Sequence, residues 1–332
     1  EIGSGLVGSE MCIRDRVSFG SDIQRPYMKE ADAALLNYQA VTLDIQPDPQ
    51  NNVAKITATP ILNGLKVPKT VKLTDSYANC EGWRHTLKLN LDNEWEPTFD
   101  GEFPRSCPNK KLSYVIRDPL TYWQALLTPL MKEVGIRWKG NVIEGPIPEK
   151  ALLFYTAYSE DLVHISRLTN KYSNNVLARH IYLTFGLQQH EQKRSATYAM
   201  ARLSLQKWLK ENVRINPHSV FVDNGSGLSR ESYVTAQAMT DIIRYGWRSP
   251  RMPEWLSTFP VSATDGTMRK RQVAPSSAYI KTGLLNGVKS IAGVVQAKSG
   301  KRYAIFGVVQ GEQATSTDAP LDALIQWVYL KG

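Results

Sequence analysis

No stretch of this 332-residue chain approaches the roughly 20 consecutive apolar residues that a membrane-spanning helix needs, so nothing in it reads as a transmembrane segment. Low-complexity tracts and fixed-period repeats are missing as well, which excludes solenoids and simple disordered polymers. Histidine is scarce, at five, and none stands at ligand-like spacing from acidic or cysteine partners, so no metal site is expected and no cofactor is implied. Acidic residues are outnumbered 31 to 40 by Lys plus Arg, for a net charge of +9, yet the one tight basic cluster is Arg269-Lys270-Arg271. With no nucleic-acid motif and no helix bearing a continuous basic face, that excess reads as a solvated surface, and nucleic acid is not an expected partner.

Cysteine is nearly as rare, at three. Cys12 lies in Leu6-Val7-Gly8-Ser9-Glu10-Met11-Cys12-Ile13-Arg14-Asp15, a run that resembles the in-frame translation of a transposase adapter used in sequencing libraries. Residues 1–16 are therefore set aside from fold reasoning, and the expectation is that the reading frame was cut there, together with any signal peptide. Cys80 and Cys107 remain, bracketing the strand-like His85–Leu91 and the turn Phe99-Asp100-Gly101. Oxidised, they would close a loop worth about 3 kcal/mol and imply a compartment outside the cytosol. As two free thiols they would imply neither, and spacing does not choose between these readings.

What is present reads as α+β. At 42% hydrophobic and 21% charged residues the chain is globular in composition and long enough for more than one domain. From Val17 to about Lys111 the pattern is β-rich, with strands expected at Ala40–Ile45, ending before Pro47, and at Ala54–Thr59. Asp118-Pro119 opens a helix that should stop at Gly135, and the Pro- and Gly-containing run 140–148 divides an accessory region, 17–145, from a final domain, 146–332. There, Ser159-Glu160-Asp161 can cap a helix through Leu162, Ile165 and Leu168, and a second helix carries Val176, Leu177, Ile181 and Leu183 and ends near Gly186. Ser173 and Asn175 fall in or just before its first turn, where Ser173 serves either as a helix cap or as a side chain held outward into a cleft. A third helix over 195–212 contains Ser204-Leu205-Gln206-Lys207; Lys207 shares a charged face with Lys210 and Glu211, so this reads as a solvated surface. The strand Val220–Val222, the glycine-bearing loop Asp223–Arg230, a helix carrying Ala236, Met239, Ile242 and Ile243, a terminal hairpin and a closing helix capped by Thr317 or Asp318 complete the order.

Lys281-Thr282-Gly283 alone is weak evidence, since a chain of this size holds that tripeptide by chance on the order of one time in ten. Its context is specific. Lys171-Tyr172-Ser173-Asn174-Asn175, Asp223-Asn224-Gly225-Ser226-Gly227-Leu228-Ser229-Arg230, Phe259–Met268 and Lys281-Thr282-Gly283-Leu284-Leu285-Asn286-Gly287 follow one another in that order. Together they resemble the D-alanyl-D-alanine carboxypeptidase/endopeptidase family of the penicillin-binding protein 4 type, strongly over Ala151–Gly332 and more loosely over Ala33–Gly145. The resemblance implies the C-terminal part of a β-lactamase/transpeptidase-like domain, preceded by the remainder of β-rich inserted domains in which Cys80 and Cys107 form a disulfide. It implies acyl transfer on peptidoglycan stem peptides, reaction with β-lactams and a periplasmic location. In those roles Ser173 relays a proton, Asn175 holds the substrate amide, Lys281 supplies positive potential and Thr282 binds the substrate carboxylate. Gly283 allows close approach of the peptide, the backbone N–H of Leu284 is an oxyanion donor, and Arg230 with Asn286 lines the pocket for the stem's diamino acid.

The pattern is also departed from. Leu284 stands where Ser or Thr is usual, Asn286 where Gln is commoner, and no Ser-x-x-Lys precedes Ser173. The expectation is a chain that lacks its nucleophile and forms no acyl-enzyme alone. Two other classes compete: a non-catalytic peptidoglycan-binding relative, whose complete gene would lack Ser-x-x-Lys, and a β-lactamase or esterase on the same scaffold, which the β-rich region and the Asp223–Arg230 motif argue against.

Overall fold

The computed structural model describes residues 12–13, 25–76, 80–137, 139–145, 150–153, 155–188 and 195–332. These form two compact units, one of Ser18–Lys29 with Ala34–Ile147 and one of Pro148–Gly332 with Glu1–Val17 and Glu30–Ala33, each taken over its described residues. Of the first sixteen residues Cys12–Ile13 (β1) is described, as a short strand parallel to Ser195–Ala196.

The smaller unit is built on β2 (Ala40–Asp48), whose alternate residues Val41, Leu43 and Ile45 are fully buried. It pairs antiparallel with β3 (Val53–Thr59) on one side and, as far as Ile45, with β8 (Lys110–Val115) on the other. The strand continues through Pro47, where the sequence suggests a stop, because the ladder to β8 has already ended and the missing N–H disrupts nothing there. β4 (Thr70–Thr74) and β7 (Phe103–Pro104) extend this five-stranded sheet beyond β3. A single helical turn, α1 (Trp83–Thr86), takes His85 out of the expected strand, so that β5 begins at Leu87 and pairs with β6 (Thr98–Gly101). Cys80 and Cys107 are joined by a disulfide with their Cα atoms 4.9 Å apart. α2 (Pro119–Glu133) is capped by the Asp118 carboxylate, which accepts from the N–H groups of Leu120 and Thr121, and it buries Tyr122, Ala125 and Leu126 against the sheet. It passes through Pro129 unbroken; the Ala125 carbonyl, which has no i+4 donor, accepts instead from the Asn63 N–H at 2.9 Å.

The larger unit holds the motifs. α3 (Leu162–Lys171), capped by Asp161, is followed after a short connection by α4 (Asn175–Gln188), which continues past Gly186. Gly186 lies against the Ala201 backbone of α5 (Tyr198–Trp208), so its missing side chain serves helix contact and not helix termination. The expected helix over 195–212 resolves into the short strand β9 (Ser195–Ala196), α5 capped by Thr197, and a wider π-type turn over Leu209–Val213. Ser204 is buried and Lys207 exposed. β10 (Val220–Phe221) and β11 (Tyr233–Val234) form a short antiparallel pair that flanks the Asp223–Arg230 loop. α6 (Ala236–Arg248) and α7 (Met252–Ser257) lead to the main sheet, β12 (Ala278–Leu285), β13 (Val288–Gln296) and β14 (Arg302–Gln310), antiparallel in that order. α8 (Asp318–Lys331) covers one face of this sheet through Leu321, Ile325 and Val328, and α6 packs against β13 and β14 as well. This arrangement of helices on antiparallel sheets is α+β.

Candidate active site

Three chain segments of the larger unit meet at Lys281 and Thr282. The first is the connection from α3 to α4. The Asn174 side chain accepts from the Leu177 N–H at 3.1 Å and so caps α4, leaving the neighbouring Ser173 hydroxyl free of that duty. Ser173 is exposed and has φ +53°, a left-handed conformation that is costly for a residue with a Cβ. Asn175 is the first residue of α4 and is half-buried.

The second segment is β12. Lys281 Nζ donates to Ser173 Oγ at 2.9 Å and to the Thr282 carbonyl at 2.7 Å. Burial of the ammonium pushes its pKa down to about 8. β12 lies at the edge of its sheet, and its outer side is traceable by hydrogen bonding: the Ile280 N–H donates to the Pro260 carbonyl and the Ala278 carbonyl accepts from the Ser262 N–H. With the period of two along a strand, the backbone groups of Thr282 and Leu284 face that same outer side. Beyond Ile280 no described backbone pairs with it, so the Leu284 N–H points to an open edge. Gly283 lies opposite Ser290, whose Oγ would stand 2.4 Å from an added Cβ; the side chain missing at this position makes room for a cross-strand hydroxyl.

The third segment is the loop Phe259–Met268. Lys171, the last residue of α3, donates to the Phe259 carbonyl at 2.8 Å and to Asp265 Oδ2 at 2.6 Å, while Asp265 Oδ1 accepts from the Val261 N–H at 2.9 Å. Gly266 has φ +55° and rests on the Lys171 carbonyl, which an added Cβ would meet at 2.5 Å. The loop is thereby fastened to the α3 terminus, and Thr267 is carried to β12, where the Thr282 hydroxyl donates to its Oγ1 at 2.9 Å. Lys171 and Asp265 belong to separate motifs of the sequence, but that they form one clamp is not readable from either.

Arg230 and Asn286 are also brought together, at the end of β12 away from Ser173. The bond runs from Arg230 Nη1 to the Asn286 backbone carbonyl at 2.7 Å, so the Asn286 side chain takes no part in it. Arg230 ends a loop organised by the buried side chain of Asn224, which donates to Asp223 Oδ2 and to the Leu228 carbonyl and accepts from the Ser226 N–H and hydroxyl. Gly225, at φ +76°, sits where a Cβ would strike Tyr182 at 2.5 Å. Among the described residues no group of three His, Cys, Asp or Glu converges to hold a metal ion. What the site offers is a buried cation, an exposed hydroxyl bonded to it, an open strand edge with outward N–H groups, and a guanidinium farther along.

Comparison with known proteins gives this arrangement a context. A model of the D-Ala-D-Ala carboxypeptidase 3 (S13) family matches residues 15–330. The D-alanyl-D-alanine carboxypeptidase DacB of Haemophilus influenzae is 25% identical over 206 residues, covering 60% of this chain and 42% of the relative. The D-alanyl-D-alanine carboxypeptidase of Actinomadura sp. strain R39 is 23% identical over 292 residues, 82% of this chain and 53% of the relative. Among solved structures, penicillin-binding protein 4 from Haemophilus influenzae aligns with a TM-score of 0.72 at 19% identity, over 98% of this chain and 72% of that one. Its complex with a novel β-lactam aligns at 0.68 and 21% identity, over 90% and 70%. The chain spans about half the length of the curated relatives it matches.

Proposed function

The chain belongs to the D-Ala-D-Ala carboxypeptidase 3 (S13) family, and on that premise we propose that it is the proton-relay and carboxylate-binding part of a serine-type D-alanyl-D-alanine carboxypeptidase/endopeptidase of peptidoglycan. The observation that carries this reading is the 2.9 Å hydrogen bond from Lys281 Nζ to the exposed Ser173 hydroxyl, at an open strand edge.

In acyl transfer a serine oxygen forms an ester with the penultimate D-alanine carbonyl, the C–N bond breaks, and the departing D-alanine amine must receive a proton; water then hydrolyses the ester. A hydroxyl has one proton to give and two lone pairs to accept with, so Ser173 takes up the proton that the attacking serine gives up, passed on through a base, as it releases its own to the leaving amine. Lys281, charged at neutral pH, draws the substrate carboxylate to this place, and Thr282 helps to bind it. The Leu284 N–H stabilises the oxyanion as it develops, Asn175 holds the substrate amide, and Arg230 with Asn286 borders the diamino-acid side chain. The nucleophile is a serine outside this sequence, in which no Ser-x-x-Lys precedes Ser173. The chain alone then forms no acyl-enzyme, and with the serine supplied the protein binds penicillin. A β-lactam complex of penicillin-binding protein 4 from Haemophilus influenzae supports the β-lactam part.

In the same reading, 17–145 is the remainder of inserted accessory domains, and residues 1–16 are adapter sequence. The protein works in the periplasm: the disulfide between Cys80 and Cys107 supports an oxidising compartment. Among the described residues no helix is long and apolar enough to cross a membrane. The test is labelling by a fluorescent penicillin of the complete reading frame, of its Ser173→Ala variant, and of the chain as given. Labelling of the complete protein alone, slowed in the variant, is the expected result; no labelling of any of them removes the acyl-transfer reading.

A further inference from the structure

Leu284, 65% exposed at the open end of β12, has no hydroxyl to offer an anion. A hydroxyl from another element reaches Thr282, two residues before it on the same strand. Thr267 stands in the turn Gly266–Met268, and its Oγ1 accepts the Thr282 proton at 2.9 Å. The turn is held from several directions. Met268 is fully buried in the core under α8, its carbonyl accepts from the Ala263 N–H, and Asp265 and Gly266 are pinned to Lys171. Thr267 itself is exposed, and among the described residues its own hydroxyl proton has no acceptor.

We propose that Thr267 is a substrate-binding residue that, with Thr282, makes a two-hydroxyl site for the C-terminal carboxylate of a D-alanyl peptide, replacing the hydroxyl missing at Leu284; this rests on the acyl-transfer reading above. In the Thr282-to-Thr267 bond the one uncommitted proton belongs to Thr267, and a chain of two hydroxyls ending on an anion is strengthened along its length, because each donated bond polarises the next. Lys281 lies on the other side of Thr282, with its Nζ 2.7 Å from the Thr282 carbonyl, so an anion placed at the hydroxyl pair also feels the buried ammonium. The loop of the Phe259–Met268 motif thus contributes directly to ligand binding, in addition to bracing α3.

The test compares binding of N-acetyl-L-lysyl-D-alanyl-D-alanine with that of its C-terminal amide, by NMR titration of this chain and of its Thr267→Val, Thr267→Ser and Thr282→Val variants. The parent chain is expected to prefer the acid. Thr267→Val is expected to lose about tenfold in affinity for the acid and much less for the amide, with Thr267→Ser restoring the preference. Unchanged chemical-shift dispersion in each variant's own spectrum reports an intact fold. If Thr282→Val abolishes the preference and Thr267→Val leaves it intact, Thr267 has no part in binding and the proposal is overturned while the acyl-transfer reading stands. If the parent chain shows no preference for the acid, that reading falls, and this proposal with it.

Discussion

Lys171 and Asp265, 94 residues apart in sequence, form a 2.6 Å ion pair that ties the end of α3 to the loop carrying Thr267. The Lys171 side chain is largely shielded and that of Asp265 partly so, which puts the pair between surface and buried cases. Lys171→Met is therefore expected to destabilise the larger unit by about 2 kcal/mol, as is Asp265→Asn, and the double variant should cost less than the sum of the two. Urea unfolding of the four proteins measures the coupling; strict additivity would show that the two residues act independently.

Ser173 and Asn174 are neighbours with opposite expected effects. Asn174→Ala removes the cap of α4 and should cost about 1 kcal/mol. Ser173→Gly relieves a left-handed residue and removes no cap, so it should leave stability unchanged or raise it by about 0.5–1 kcal/mol while deleting the hydroxyl that Lys281 holds. Thermal unfolding of the two variants decides the matter, and a destabilised Ser173→Gly would mean that Ser173 has structural bonds beyond those described.

The buried ammonium of Lys281 makes a pH-dependent contribution. Its pKa is lowered in the fold from 10.5 to about 8, so between these values the unfolded chain keeps a proton that the folded chain has released. This group's cost to stability is full below about pH 8 and is relieved as the pH rises toward 10.5. Over the same rise the site loses its positive charge, and affinity for a D-alanyl carboxylate should fall as the pH passes about 8. Denaturant midpoints and ligand titrations across this range are expected to move in opposite directions, and Lys281→Met should flatten both.

Reduction of the Cys80–Cys107 disulfide, or replacement of both cysteines by alanine, is expected to cost the smaller unit about 3 kcal/mol, since it closes a 27-residue separation. The larger unit has its own cores and should keep its unfolding transition. Differential scanning calorimetry with and without reductant separates the two; a shift confined to the larger unit would contradict this assignment.

The parts of this structure legible in the sequence are those written in local periodicity. The alternation of Val41, Leu43 and Ile45 announces β2, Asp118-Pro119 announces α2, and Asp161 announces α3, because each signal acts on its own neighbours. Boundaries slip where a tertiary partner overrides the local cue. Gly186 reads as a helix end but is a contact with Ala201, and Pro47 reads as a strand end but lies beyond the reach of β8. For the site, motif order brought forward Ser173, Lys281 and Thr282, which the structure places together. The Lys171–Asp265 clamp and the Thr267–Thr282 bond were not legible, since both join residues of different motifs and depend on how loop and strand pack. The role of Asn174 was open to inference from the preference of Asn for helix caps, although Ser173 carries a similar preference and competes for the same reading.

The Asn224 side chain, with its four bonds inside the Asp223–Arg230 loop, has a consequence for redesign. Because one interior amide sets the course of the backbone from Asp223 to Leu228, the exposed Arg230 side chain, which bonds outside the loop, hangs from a frame whose shape it does not determine. Libraries varied at Arg230 would then sample new side chains on a constant loop, and a change in ligand preference could be credited to the new side chain itself. Variation at Asn224 or Gly225 would instead alter the frame, and every position carried on it would move together.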